Sequence, residues 1–146
     1  MAKSEKQKLK LLYIIQCLME KTDEEHAVTT QEIIDYLALQ GITAERKSIY
    51  TDIDLLIDFG MDIIKKPGRS GGYTLASRQF ELAELKLLVD AVQSSKFITT
   101  KKSRELIGKL ETLCSKYEAA QLHRQVVVTN RNKTVNENIY YNVDII

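Results

Sequence analysis

The 146-residue sequence predicts an α+β fold that is mainly α, and three observations support this. Apolar residues recur every three or four positions over residues 5–20, 29–41 and 42–60, which is typical of three amphipathic helices. The pattern then changes to two short apolar runs around the segment PGRSGG at residues 67–72, which predicts two strands joined by a turn. Helical spacing returns over residues 80–120.

The composition permits a packed core and argues against a membrane or secreted protein. Hydrophobic residues make up 44% of the chain and charged residues 28%. The sequence has no apolar run of the roughly 18 residues that a membrane span needs. Its basic start, MAKSEKQKLK, lacks the apolar stretch of a signal peptide. We therefore expect a cytoplasmic protein in which Cys17 and Cys114 are reduced core residues rather than a disulfide or metal site.

The net charge does not by itself indicate a partner. The chain carries 21 Lys or Arg against 20 Asp or Glu, a formal charge of +1. Residues 1–78 alone carry 11 basic and 12 acidic side chains. Because a basic isoelectric point is the usual sign of a nucleic-acid partner, any such interpretation here depends on where the charges lie.

Helix ends are well marked in the first 60 residues. Thr29 with Glu32 three positions later is a capping-box pattern that begins the second helix, and Gly41 ends that helix. Thr43 is the expected N-cap of a third helix over residues 44–59, and Gly60 ends it. The apolar face of the first helix is Leu11, Ile14, Ile15, Leu18 and Met19. The apolar face of the third is Ile49, Ile53, Leu56 and Ile57.

A glycine-rich turn follows the three helices. The runs MDIIKK and YTL are predicted to be strands, and the glycines between them allow a tight reversal that holds Arg69 at its tip. Three helices followed by such a hairpin are the pattern of a winged helix-turn-helix, which we assign to residues 1–78. The alternative is an ordinary β-hairpin with no further role.

The third helix carries the residues best suited to contact DNA. Steps of 100° from the buried Ile49 place Lys47, Thr51, Asp54 and Asp58 outward, flanked by Ser48 and Tyr50. In a helix-turn-helix this face enters the major groove, where Lys, Ser and Thr can bond to base edges or phosphates. The sequence therefore predicts DNA contacts from Lys47, Ser48, Tyr50 and Thr51. The alternative is a merely solvated helix face.

The predicted wing is the second basic site. Lys65, Lys66 and Arg69 supply three positive charges with no acidic residue between Ile63 and Thr74. We expect the wing, residues 66–72, to lie on the flanking backbone or in the minor groove. Lysines at positions 6, 8 and 10 are interpreted either as phosphate contacts or as solubilising charges.

Residues 79–146 are predicted to form a helical dimerisation or linker region. Heptad spacing relates Leu82, Leu85, Val89 and Val92 in one helix, and Leu106, Leu110, Leu113 and Tyr117 in the next, with Thr99 or Thr100 as the N-cap between them. These stripes can pack on each other, on the first domain or on a second copy. The run RQVVV at 124–128 is interpreted as a possible strand, residues 129–138 as a linker, and IYYNVDII at 139–146 as the beginning of a helix.

The segment ERKSIYTDIDLLIDFGMDIIKKPGRSGGYTL resembles the DNA-binding part of the WYL-domain transcriptional regulators, in the broad DeoR-like group. The shared pattern is Ser48 to Ile53 in the recognition helix and Gly68 to Leu75 in the wing. Residues 80–146 are similar to the helical linker and the lead-in to the WYL domain. Thr51 stands where many relatives have Arg, and the chain stops where the WYL domain is expected. The resemblance implies a transcriptional regulator but does not indicate the effector. The homodimer is expected instead from the apolar stripes of residues 80–120, since two copies can bind a site with two-fold symmetry.

Enzyme chemistry has little support in the sequence. His26 and His123 have no Cys, Asp or Glu at metal-ligand spacing, and GRSGG lacks the ending of a phosphate-binding loop. We expect no catalytic activity, no metal and no cofactor. Two functions stay open: a sequence-specific regulator that binds double-stranded DNA, and a winged-helix module that binds a protein.

Overall fold

The computed structural model describes residues 2–69 and 71–128, and within these residues it is mainly helical. The elements are α1 (Ala2–Lys21), α2 (Thr30–Leu39), α3 (Arg46–Phe59), β1 (Ile63–Lys66), β2 (Gly72–Leu75), α4 (Leu82–Ser94), α5 (Thr100–Glu111) and α6 (Lys116–Val128). They divide into two compact units, unit 1 ending at Arg78 and unit 2 beginning at Gln79. The predicted α+β, mainly α fold is confirmed.

The ends of α2 confirm the capping pattern. The Glu32 amide donates to Thr29 Oγ1 over 3.1 Å, and the Thr29 amide donates to Glu32 Oε1 over 3.4 Å. Gly41 follows the helix with φ +78°, and Gly60 follows α3 with φ +121°. Both helices therefore end where the sequence predicted.

The start of α3 corrects the sequence prediction. The helix begins at Arg46 after Glu45, and neither residue supplies a side-chain cap, so Thr43 is not the N-cap. The reason is Ile42, which is buried and donates its amide to the Leu37 carbonyl over 2.9 Å. The chain must place Ile42 in the core before it can turn into a helix.

The core of unit 1 is formed by the inner faces of α1, α2 and α3 together with the hairpin. Ile14 and Leu18 of α1 and Ile49 and Ile53 of α3 are fully buried. Met19 and Ile57, which the periodicity placed in the buried stripes, are each 37% exposed because they lie at the edges of those stripes. Arg78 donates to the carbonyls of Met19 and Thr22 and so fastens the end of the unit to the end of α1.

The hairpin extends into a third extended segment that the sequence did not reveal. β1 and β2 are antiparallel, with Ile63 opposite Leu75 and Lys66 opposite Gly72. Val28, just before α2, pairs with Tyr73: the Tyr73 amide donates to the Val28 carbonyl over 2.7 Å, and the Val28 amide donates to the Tyr73 carbonyl over 3.0 Å. This order of helix, short extended segment, two helices and hairpin is winged-helix-like.

Gly72 is required by this close pairing. Its φ is +150°, and a Cβ there would lie 2.1 Å from the Val28 carbonyl oxygen. Any side chain would therefore collide with backbone rather than with a movable group. The glycine serves the approach of the wing to its own domain, a reason that the sequence analysis did not anticipate.

Unit 2 is a helical unit in which α4, α5 and α6 share one core. Leu85, Val89, Ile107 and Leu122 are buried, and Leu82, Val92, Leu110 and Leu113 pack against them. Thr99 caps α5 by accepting the Lys102 amide over 3.1 Å. The predicted stripes therefore pack largely within the chain, although Tyr117 is exposed.

Two expectations about the end of the chain are affected. The interpretation of RQVVV as a strand is wrong, because residues 124–128 continue α6, which buries Leu122 in the unit 2 core. The predicted linker at 129–138 and helix start at 139–146 lie outside the described residues. Within the described part of the chain, no helix is both long enough and apolar enough to cross a membrane.

Candidate nucleic-acid interface

The outward face of α3 is exposed. Lys47, Tyr50, Thr51, Asp54 and Asp58 are all solvent-accessible, whereas Ile49 and its helical neighbours fill the core. Thr51 Oγ1 donates to the Lys47 carbonyl over 3.2 Å and keeps its two lone pairs available to a donor. The helix thus presents a basic N-terminal half and an acidic C-terminal half.

Ser48 lies at the edge of this face, and its hydroxyl already makes hydrogen bonds within unit 1. Its hydroxyl donates to the Glu45 carbonyl over 2.8 Å and accepts from Lys10 Nζ over 2.8 Å. The side chain is half-buried on the side of α3 that faces α1. A DNA contact from Ser48 stays a prediction, and it would have to share an oxygen that these two bonds already use.

The buried position of Lys10 contradicts both roles that the sequence suggested for it. It is neither a phosphate contact nor a solubilising charge, because its side chain is only 8% exposed and its Nζ lies 2.7 Å from Asp52 Oδ2. That oxygen has no hydrogen-bonding partner among the described residues, so the ionic contact with Lys10 is its compensation. The pair joins α1 to the inner edge of α3.

Lys65 and Lys66, the last two residues of β1, are oriented by contacts with other parts of unit 1. Lys65 Nζ lies 2.8 Å from Asp54 Oδ1 on the outward face of α3, and this hydrogen bond raises the pKa of Lys65 above its ordinary value. Lys66 Nζ donates to the Glu24 carbonyl over 3.4 Å. Arg69 is exposed at the turn.

A groove of about 510 Å³ lies between the start of α2, the start of α3 and the wing. None of its described lining residues is acidic. Four of them are basic: Arg46, Lys65, Lys66 and Arg69. Thr29, Thr30 and Gln31 form the opposite wall, and the Thr30 hydroxyl donates to the Tyr73 hydroxyl over 3.4 Å. We call this the wing groove.

Arg46 is a residue of this groove that sequence reasoning missed. It is the first residue of α3, and its Nη2 donates to Gln31 Oε1 over 3.4 Å across the groove. On the helical projection Arg46 lies near the buried side, so the helical repeat alone does not predict a contact from it. At the first turn of a helix, however, a long side chain can reach past the end of the helix. The position of Arg46 in the first turn is therefore the feature of the sequence that indicates a contact beyond the helix.

A second groove, of about 630 Å³, lies on the opposite side of the start of α3. It is lined by the first half of α1 and by the turn between α2 and α3, with Lys6 and Lys10 as its cations and Glu45 as its acid. The two grooves flank the first turn of α3. The exposed Lys47 therefore sits between two concave surfaces that carry basic groups.

Other chemistry finds little support in the described residues. They contain no group of three or more His, Cys, Asp or Glu placed to hold a metal ion. His26 Nδ1 lies 2.7 Å from Asp23 Oδ1 in the loop before α2, an ordinary pair. Burial raises the pKa of the Cys17 thiol to about 11, so this cysteine is protonated and not a nucleophile.

Comparison with known families supports a DNA-binding domain for part of unit 1. Residues 12–68 match the family described as FokI, D3 domain, a segment that includes the second half of α1, all of α2 and α3, and β1. This similarity is to a winged-helix-like DNA-binding domain and does not extend to the WYL or DeoR-like regulators. No curated protein and no solved structure matches the chain significantly.

Proposed function

We propose that the protein is a sequence-specific transcriptional regulator whose unit 1 binds double-stranded DNA. The first half of α3 enters the major groove, with Lys47, Tyr50 and Thr51 toward the bases and Ser48 at the edge. The wing, with Lys65, Lys66 and Arg69, lies on the flanking backbone. The observation that carries the proposal is the wing groove, a concave surface with four cations directly beside the exposed face of α3.

The distribution of charge supports this orientation. Phosphate contacts come mainly from Lys and Arg, from hydroxyls and amides, and from helix N-termini. The wing groove combines Arg46 and the wing cations with the start of α2. Asp54 and Asp58 occupy the second half of α3, where a carboxylate close to phosphate would be repelled. The phosphates are therefore expected along the first half of the helix and the wing.

We further propose that this regulator belongs to the WYL-domain, DeoR-like group. It is supported by the recognition-helix motif from Ser48 to Ile53 and the wing motif from Gly68 to Leu75. On this proposal unit 2 is the linker that leads to an effector domain, and the protein acts in the cytoplasm.

We also propose that the protein is a homodimer, because two copies are needed to bind a site with two-fold symmetry. The stripes named from the sequence are largely used inside unit 2. The exposed Leu87 and Phe97 are the better candidates for a dimer contact. Sedimentation at micromolar concentration distinguishes a dimer from a monomer of 16.7 kDa.

A protein-binding module is the second candidate, and one observation favours it. Leu39 at the end of α2 and Phe59 at the end of α3 are each 82% exposed, more than any other large apolar side chain among the described residues. Charges in unit 1 are also nearly balanced. A partner protein would cover these apolar residues and not the wing groove.

Selection of bound duplexes from a random-sequence pool tests the proposal. We expect enrichment of one short motif, with half-sites about one helical turn or a multiple of it apart if the protein is a dimer. Retention of duplexes without any enriched motif would contradict a sequence-specific regulator. Capture of a protein partner that is lost on replacement of Leu39 and Phe59 by Ser, with no DNA retained, would favour the second candidate.

Replacing Lys47 or Thr51 by Ala is expected to weaken binding to the selected motif by about 1–3 kcal/mol wherever that residue contacts a base. Because both side chains are exposed, the free energy of unfolding should change little. Fluorescence anisotropy with the motif and a scrambled duplex measures the effect. Lys86→Ala in unit 2 is the control for loss of one charge. Unchanged affinity in the Lys47→Ala, Thr51→Ala double variant would refute this assignment of the α3 face.

Replacing Arg69 by Ala is expected to act differently. Loss of a phosphate contact should weaken binding to all duplexes about equally and lower the slope of log K against log salt by about one unit. The same anisotropy titration at several salt concentrations measures it. A loss confined to the selected motif would show that Arg69 contacts a base instead, and no loss on any duplex would remove it from the interface.

A further inference from the structure

Asp54 is the residue of the α3 outward face that the proposed function leaves unexplained. It lies two turns after Lys47 and one turn after Thr51, on the same exposed side. Its Oδ1 is 2.8 Å from Lys65 Nζ, and the two side chains are 63% and 56% exposed. A carboxylate on a surface meant for DNA repels phosphate, and here it also holds a wing cation that would otherwise be available to phosphate.

The three acidic residues of α3 differ in their surroundings. Asp52 faces inward and is compensated by the buried Lys10. Asp58 is exposed and has no ion pair with any residue in the described part of the chain. Asp54 alone combines an outward position with a partner from the wing. It therefore links the two elements that are proposed to contact DNA.

The chemistry of a carboxylate limits what Asp54 can accept in the major groove. An ionised carboxylate is only a hydrogen-bond acceptor. The donors on the major-groove edges are the amino groups of cytosine and adenine, and Asp characteristically accepts from cytosine N4. Guanine and thymine present acceptors there, and phosphates are negatively charged, so Asp54 finds no favourable partner among them.

We infer that Asp54 is a specificity-determining residue that lowers affinity for non-specific DNA and selects a cytosine at one position of the preferred site. On non-specific DNA, Lys65 stays on Asp54 and is withheld from phosphate. At the preferred site the cytosine amino group donates to Asp54, and Lys65 moves to a phosphate of the backbone. This inference rests on the proposed function, since it requires α3 to lie in the major groove.

Four variants of the full chain test it: Asp54→Asn, Lys65→Gln, the double variant, and Asp58→Asn as the matched control. Asp58→Asn removes the same charge from the same exposed helix one turn later. Both aspartates are exposed, so all four proteins are expected to fold. The readouts are affinity for a mixed-sequence duplex at about 0.1 M salt and the base preference found by selection from a random pool.

For the mixed-sequence duplex, Asp54→Asn is expected to raise affinity about fivefold, and Asp58→Asn by about twofold or less, because only the first releases a cation to phosphate. When Lys65 is already replaced by Gln, the further change Asp54→Asn should raise the affinity for this duplex no more than Asp58→Asn does. In the selection, Asp54→Asn should lose the cytosine preference at one position, with adenine the expected replacement because Asn bonds to adenine N6 and N7.

The outcomes separate this inference from the function on which it rests. If the unmodified protein selects a motif, but Asp54→Asn matches Asp58→Asn in both readouts, Asp54 is an ordinary surface charge and the inference is wrong while the proposed function stands. If the unmodified protein retains no duplex, both are wrong.

Discussion

Replacing Lys10 by methionine is expected to lower the free energy of unfolding of unit 1 by about 3 kcal/mol, because it leaves a charged partner without compensation. Asp52 is only 15% exposed, and its Oδ2 lies 2.7 Å from the ammonium that the substitution removes. Methionine preserves most of the volume, so the change isolates the charge. Chemical denaturation followed by circular dichroism measures the loss, and the amides of α1 and α3 should lose protection from hydrogen exchange.

Two further variants make that result specific. Lys8→Met, two residues away on an exposed position of α1, should change stability by less than about 0.5 kcal/mol. Adding Asp52→Leu to Lys10→Met should restore most of the loss, because an apolar pair of similar volume can replace a buried ion pair at little cost. A Lys10→Met protein as stable as Lys8→Met would show that the pair does not hold α1 to α3.

Replacing Gly72 by alanine is expected to cost roughly 3 kcal/mol or more, since strain and overpacking act together at this site. The added Cβ would lie 2.1 Å from the Val28 carbonyl oxygen, so the hairpin must move away from the segment before α2. Protection of the Tyr73 amide, which donates to Val28, is the local measure of that movement. DNA affinity should fall with it, because Tyr73 and the wing form one side of the wing groove.

Gly68→Ala is the matched control for Gly72→Ala. Gly68 also has a positive φ, +101°, but nothing lies within 4 Å of the Cβ it would gain. It should therefore show only the conformational penalty, about 1–2 kcal/mol. Equal effects of the two substitutions would mean that the contact between Gly72 and Val28 is unimportant.

Local features of the sequence predicted local features of the fold. Thr29 and Glu32 are three residues apart, and the capping box that they form depends only on that spacing. Gly41 and Gly60 ended their helices for an equally local reason, and the period of the apolar residues distinguished the helices from the hairpin. The exposed positions of Lys47, Thr51, Asp54 and Asp58 followed from the helical repeat alone.

Features that depend on partners distant in the sequence were not predictable. Lys10 and Asp52 are 42 positions apart, and nothing about a lysine in a basic N-terminal segment indicates that it is buried. Val28 gave no strand pattern because a single residue pairs with Tyr73. The position of Arg46 in the first turn of α3 is visible in the sequence, but its place in the wing groove depends on the wing folding back beside α3. The buried face of α6 could not be distinguished from a strand, because RQVVV is short and rich in β-branched residues.

The salt dependence of DNA binding by the full chain tests the central claim most directly. Anisotropy titrations of a labelled duplex from about 50 to 200 mM salt should give a linear fall of log K against log salt, with a slope of about −3 to −5 if Lys47 and the wing-groove cations meet phosphates. The triple variant Arg46→Gln, Lys66→Gln, Arg69→Gln should bind more weakly and lose about half of that slope. Absence of binding by the unmodified protein at about 50 mM salt, or an unchanged slope in the triple variant, would contradict DNA binding through this surface.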